Sequence, residues 1–113
     1  VVETLGKRVE ENFELIMFST SLCDHCAVFD QETARIYKSN SLSKKAPLIK
    51  INIDEYGTGK YHLREPIEVV PTFIVMNNGK EVARLKGLVD KFLFLSFIRD
   101  AVLNEKQVSS RHK

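Results

Sequence analysis

Residues 14–30, ELIMFSTSLCDHCAVFD, run from an apolar stretch through small hydroxyl residues to the chain's two cysteines, Cys23 and Cys26, and then into a segment of different period. The apolar stretch reads as a buried strand over residues 14–19. From Asp24 to about Lys38, Cys26, Ala27, Phe29, Thr33, Ala34, Ile36 and Tyr37 approximate one helical stripe with charges between them. A strand that turns directly into a helix places Cys23 near the helix start, and Cys26 about one turn further along.

Working outward, SNSLSKKAP is polar and loop-like, and LIKINI alternates as a second strand over residues 48–53. A short helix is expected over residues 56–63 after YGTG. Pro66 and Pro71 bracket IEVV, and TFIVM follows as a β-branched third strand. Asn78-Gly79 is a strong two-residue hairpin signal, so EVARLKG should pair antiparallel with the third strand. A C-terminal helix follows, with Asp90 as candidate cap and an apolar face of Phe92, Leu95, Phe97, Ile98, Ala101 and Val102. Phe94 falls off that face and is expected to be exposed, while the other phenylalanines are expected in the core. Residues 1–10 read as an arm or helix and 106–113 as a flexible tail, so residues 1–113 form one expected domain.

At 113 residues and 43% hydrophobic content the chain can build one core without staples. Charged residues make up 28%, the formal charge is only +2, and the signs are interspersed, which gives no footprint for nucleic acid. Lys44 and Lys45, with Lys38 and Lys50, read as a solvated face rather than an anionic-ligand site. No apolar stretch is long enough to cross a bilayer, and the first residues lack a secretory signal pattern, so a mature or trimmed form is expected.

A thiol reacts as its thiolate, and a helix N-terminus offers unpaired N–H groups and a positive dipole end to that anion. Cys23 is therefore the expected attacking sulfur and Cys26 the resolving one. His25 favours the thiolate and Asp24 opposes it. Each pKa unit of thiolate stabilisation, about 1.4 kcal/mol, makes the couple about 30 mV more oxidising. A structural zinc site needs four ligands, and His25, His62 and His112 form no second paired motif with the cysteines, so no metal and no cofactor is expected. An inert staple would close too small a loop to add much stability.

FSTSLCDHC, LIKINIDEYGTGKYHL and VVPTFIVMNNGKEVARLKG together resemble the thioredoxin superfamily over nearly the whole chain. The resemblance implies an α/β thioredoxin fold, a mixed four-stranded central sheet flanked by helices, and thiol–disulfide oxidoreductase activity. It implies that Pro71, with Thr72 after it, is cis and faces Cys23, and that Val70 offers its backbone to an extended substrate segment. Gly87 matches the glycine that keeps the substrate groove open, and Leu22 and Asp24 flank the attacking sulfur as further substrate contacts. The implied partners are a protein thiol or disulfide and an upstream electron donor, met by a monomer.

CAVFDQETARIYKSNSLSKKAPL followed by PTFIVMNNGKEVARLKG is similar in particular to the periplasmic SoxS-type thioredoxins, which keep a sulfur-carrier thiol reduced in bacterial sulfur oxidation. Periplasmic localisation follows from that likeness, with the cytoplasm as alternative. Three departures bear on mechanism. Ser21-Leu22 replaces the Pro-Gly of that group and the tryptophan of general thioredoxins. Met17 stands where thioredoxins hold a buried aspartate that helps deprotonate the resolving thiol. Lys50 matches that aspartate's lysine partner, so it is expected either beneath Cys26 with a different partner or with water, where it would favour the thiolate and serve proton transfer, or facing solvent. His25 and Val70 match residues of more oxidising relatives. The same fold could instead serve as a peptide-binding or chaperone module with a redox switch.

Overall fold

The structure, a computed structural model, describes residues 11–111. The arm or helix expected over residues 1–10 lies outside the described residues. In chain order the elements are β1 (Phe13–Ser19), α1 (Asp24–Gln31), α2 (Thr33–Ser39), α3 (Leu42–Lys45), β2 (Leu48–Asn52), α4 (Ile53–Tyr56), β3 (Thr72–Asn77), β4 (Lys80–Lys86) and α5 (Lys91–Arg111).

The four strands form one mixed sheet in the order β2-β1-β3-β4, the α/β thioredoxin architecture. β1 pairs parallel with β2, so the chain between them must cross over, and α1 to α3 make that crossover. β3 pairs antiparallel with both β1 and β4. The β3–β4 hairpin turns at Asn78 and Gly79, with φ of 53° and 84°, the left-handed pair that matches strand twist.

Alternation along the strands divides the core into two layers. Phe13, Leu15, Met17, Phe73 and Val75 face α1, α2 and α5, whereas Ile16, Phe18, Ile74 and Met76 face the other side. Ile53, Tyr61, Leu63 and Ile67, from α4 and the segment after it, pack on that second layer.

Several elements differ from the sequence expectation. The helix expected from Asp24 to about Lys38 is two helices meeting at Glu32, whose φ of −113° and ψ of −75° interrupt the run. The short helix expected at residues 56–63 lies earlier, at Ile53–Tyr56, because the Asn52 side chain accepts the Asp54 N–H and caps it there, and Gly57 at φ 63° ends it. α5 runs to Arg111 and takes in most of the stretch expected as a tail; no glycine or proline interrupts it.

The face of α5 is also rotated. Phe94 is 1% exposed and Phe92 is 71% exposed, the reverse of the expectation. Phe94, Ile98 and Val102 are spaced four apart and form the buried ridge. Phe94 is drawn in by Phe29 and Phe73, with ring centroids 5.1 and 5.0 Å away, and by Tyr37 at 5.7 Å. Such edge-on pairs contribute about 0.5–1.5 kcal/mol each beyond burial.

Tyr37, to which the sequence assigned no role, is fully buried, and its hydroxyl donates to the Ala46 carbonyl and, at 3.3 Å, to that of Leu42. It ties α2 to the turn entering β2, and its burial pushes the phenol well above the ordinary range.

Candidate functional site around Cys23 and Cys26

Cys23 is the N-cap of α1, with extended φ/ψ of −122° and 103°, and its sulfur accepts the Cys26 N–H at 3.1 Å. The cap position that is usually filled by a serine or aspartate oxygen is here filled by sulfur. A thiolate on Cys23 would therefore meet a backbone donor and the positive end of an eight-residue helix. Cys23 and Cys26 are joined as a disulfide with Cα atoms 5.2 Å apart. Cys23 is half-buried, while Cys26 is 4% exposed and belongs to the core. The outer sulfur is thus reachable and the inner one is covered.

The floor is the aromatic cluster of Phe29, Phe73 and Phe94, with Phe29 and Phe73 at 4.7 Å. Phe29 follows Cys26 by three residues and shares its buried face, so this packing sets the height of α1 over the sheet. Met17 is fully buried in the same layer.

One wall is the segment before β3. The Val70–Pro71 bond is cis, and Val70 packs on the same core as Cys23. Thr72 Oγ1 donates to the Val69 carbonyl at 2.6 Å, and the Gly87 N–H donates to the Pro71 carbonyl at 2.7 Å. Both bonds tie the turn down, yet among the described residues neither the N–H nor the C=O of Val70 has a hydrogen-bond partner. Gly87 has φ of 88°, which a side chain would strain, and a Cβ there would meet nothing within 4 Å.

The opposite rim is the loop before Cys23. Asn52 Nδ2 donates to Ser21 Oγ at 3.1 Å, and the Ser21 N–H donates to Asp54 Oδ2 at 3.4 Å. These bonds anchor the loop to the end of β2 and leave Leu22 97% exposed. Asp24 and His25 are exposed on the first turn of α1.

Lys50 lies on β2 opposite Met17, and its ammonium pairs with the Asp30 carboxylate. Asp30 sits four residues after Cys26 on α1, one turn away on the same side of the helix. Of the two expected placements for Lys50, the structure shows the solvent-facing one: the side chain is exposed and pairs with Asp30, rather than lying buried beneath Cys26. Sequence reasoning missed Asp30, although its i, i+4 spacing from Cys26 was a readable signal. It also missed Asn52 and Asp54, whose link to Ser21 spans about thirty residues and leaves no local pattern.

A second missed feature holds the wall from behind. Arg84 on β4 donates through Nε and Nη2 to both oxygens of Glu81, at 2.8 and 3.0 Å, through Nη2 to the Glu65 carbonyl at 2.9 Å and through Nη1 to the Pro66 carbonyl at 3.1 Å. Glu81 also accepts the Arg64 N–H at 2.8 Å. Burial alone would raise the Glu81 carboxyl, but the Arg84 and Arg64 hydrogen bonds and charges hold it below its ordinary value. Among the described residues, no three His, Cys, Asp or Glu gather where they could hold a metal ion, and no helix is long and apolar enough to cross a membrane.

The sequence model of the family described as Thioredoxin matches residues 3–100. Among solved structures, the chain is similar to the periplasmic thioredoxin SoxS from Paracoccus pantotrophus, at 26% identity over 80% of this chain and 95% of that one, with a TM-score of 0.72. It shares its fold with a Plasmodium falciparum thioredoxin, at 24% identity, 79% and 81% coverage and a TM-score of 0.63. The Malassezia sympodialis thioredoxin Mala s 13 stands at 18% identity, 80% and 75% coverage and 0.61. No curated protein matches the chain.

Proposed function

The chain belongs to the thioredoxin family and is a thiol–disulfide oxidoreductase, and from that premise we propose that the Cys-Asp-His-Cys pair reduces a disulfide on a partner protein. One observation carries the assignment of roles: the half-buried Cys23 sulfur accepts a helix N-terminal N–H, while its bonded neighbour Cys26 is covered.

In the reduced protein, the Cys23 thiolate attacks one sulfur of the partner disulfide. That S–S bond breaks, a Cys23–partner bond forms, and the departing sulfur takes up a proton. Cys26 then loses its proton and attacks the Cys23 sulfur, releasing the second partner thiol. The partner gains two electrons and two protons, and the Cys23–Cys26 disulfide remains, to be reset by an upstream dithiol donor. Val70, Pro71 and Thr72 hold the partner segment alongside, with the open Val70 N–H and C=O as strand-like contacts. Leu22, Asp24 and Gly87 border the segment, and His25 places an imidazole ring beside the pair.

The covered Cys26 thiol needs a route for its proton. With Met17 in the strand, we assign this route to the Asp30–Lys50 pair, whose carboxylate lies one helical turn beyond Cys26 on the same side of the helix, with a bridging water to complete the path. Asp30→Asn is expected to slow release of the partner by about tenfold at neutral pH, the low end for assisted proton transfer because the pair is solvated. The first step, capture at Cys23, should keep its rate. Rapid-mixing measurement of both steps checks this, and equal slowing of the two would refute a role in proton transfer.

The likeness to the periplasmic Paracoccus SoxS supports a periplasmic setting, and the reading takes the protein as a single-domain monomer. Trapping tests the proposal as a whole. A Cys26→Ser variant cannot release what Cys23 captures, so it is expected to accumulate a dithiothreitol-sensitive covalent complex. Absence of any such complex in cells producing the variant argues against protein substrates.

A further inference from the structure

A cleft of about 640 Å³ opens beside the cysteine helix, outside the Val70–Pro71 wall, between α1 and α2 on one side and the turn from β4 into α5 on the other. Its apolar lining comes from Val28, Ile36, Leu88, Val89 and Phe92. Val28, Ile36 and Phe92 are exposed and share this concave surface, while Leu88 and Val89 are half-buried.

The cleft begins at Leu88, one residue past the glycine that borders the exchange site. Leu88 follows Gly87, whose N–H is bonded to the Pro71 carbonyl, and Leu88 packs on the same core as Cys23 and Val70. Val28 is five residues along α1 from Cys23, about 7.5 Å at the helical rise. An extended chain bonded at Cys23 advances about 3.3 Å per residue, so it reaches the cleft within three to five residues of its own cysteine.

Charge in the cleft is uneven in a way that selects an occupant. Asp90 Oδ1 accepts the N–H groups of Phe92 and Leu93, at 2.8 and 3.1 Å, and is occupied as the cap of α5. The Lys91 ammonium lies over the Phe92 ring, 5.4 Å from its centroid. The Glu32 carboxylate, by contrast, has no hydrogen-bond or ion-pair partner among the described residues.

We propose that this cleft receives the partner's own chain beside its disulfide, taking a bulky apolar side chain three to five positions from the cysteine and, next to it, a lysine or arginine that meets Glu32. The inference rests on the disulfide-exchange reading and names which disulfides are preferred. The cleft is a specificity surface; its residues position the partner and touch no reacting sulfur.

The test uses two synthetic peptides that each carry one cysteine activated as a 2-pyridyl disulfide, with Leu-Lys four and five positions away or with Ser-Ser there. The small disulfide 2,2′-dithiodipyridine serves as control. The unmodified protein is expected to react about tenfold faster with the Leu-Lys peptide, a preference of about 1.4 kcal/mol. An Ile36→Ser, Phe92→Ser double variant should lose that preference while keeping its rate on dithiodipyridine, and Glu32→Lys should weaken it. Both apolar sites are exposed, and a thermal melt confirms folding.

A preference that survives in the double variant overturns the proposal, as does a parallel fall on all three substrates. If even dithiodipyridine fails to react with the unmodified protein, the exchange reading falls, and the cleft is judged by fluorescence anisotropy with a Leu-Lys peptide carrying serine for cysteine. Tighter binding to the unmodified protein than to the double variant upholds the cleft; equal binding overturns it. A concentration-dependent dimer that Phe92→Ser abolishes would assign the surface to a second copy and also overturn it.

Discussion

Replacing Cys23 by serine is expected to reduce disulfide-exchange activity roughly 10⁴-fold or more, the scale of loss when a nucleophile that works as a unit with its partner is removed. The physical ground is ionisation. The thiol has an ordinary pKa near pH 8.5, within reach of helix-terminal stabilisation, whereas a hydroxyl in the same place stays protonated and cannot displace sulfur from sulfur. The serine oxygen can still accept the Cys26 N–H that the sulfur accepts at 3.1 Å, so the cap survives. Loss of the disulfide should change stability little, because its cysteines are only three residues apart and the loop it closes is small. The variant should therefore melt close to the unmodified protein yet fail to reduce insulin with dithiothreitol as electron source. Retention of insulin reduction would reject Cys23 as nucleophile. Full cellular function in a variant that reduces nothing would favour the alternative of a peptide-binding or chaperone module.

Arg84→Met should be the most destabilising substitution outside the hydrophobic core, at about 3 kcal/mol, or on the order of 10 °C in Tm. The Arg84 and Glu81 side chains are 8% and 3% exposed, so removing the guanidinium strands a buried carboxylate. It also frees the Glu65 and Pro66 carbonyls that Arg84 holds. Those residues lead into Val69, Val70 and Pro71, so a looser partner wall should accompany the loss of stability, read as a higher KM for a peptide disulfide.

The same pair gives stability a pH dependence of known sign. The folded Glu81 carboxyl lies below its ordinary 4.5, so the folded protein holds that proton less readily than the unfolded chain. The contribution is complete above the unfolded value and disappears as pH falls through the folded one. Melting temperatures should drop on acidification below about pH 4.5, and Glu81→Gln should flatten that part of the curve while lowering the plateau. An unchanged acid slope in Glu81→Gln would exclude Glu81 as its source.

Much of the site was legible in residues 14–30. A strand, a turn and a helix whose first residues carry Cys23 and Cys26 can be read from local pattern, because a short continuous apolar run gives way to a stripe of period near 3.6 within ten residues. The hairpin at Asn78-Gly79 was equally legible, since few other residue pairs accept two positive φ values. The exposure of Phe92 and burial of Phe94 were not. Lys91 to Arg99 has apolar residues on nearly every side, so helical spacing alone allows more than one ridge, and Phe29, Phe73 and Tyr37 decide which one turns inward.

By itself, then, the sequence determined the order of elements, the placing of a cysteine at the head of a helix and the proline before β3, because each depends on neighbours within a turn or a strand. Only the tertiary structure decided which groups surround those sulfurs: Asp30 with Lys50, Ser21 with Asn52 and Asp54, Glu81 with Arg84 behind the wall, and the open cleft beside Val28. Apart from Glu81 and Arg84, which share a strand, these pairings join segments far apart in the chain. Partners of that kind are chosen by how the sheet and helices pack, a choice that no local periodicity records.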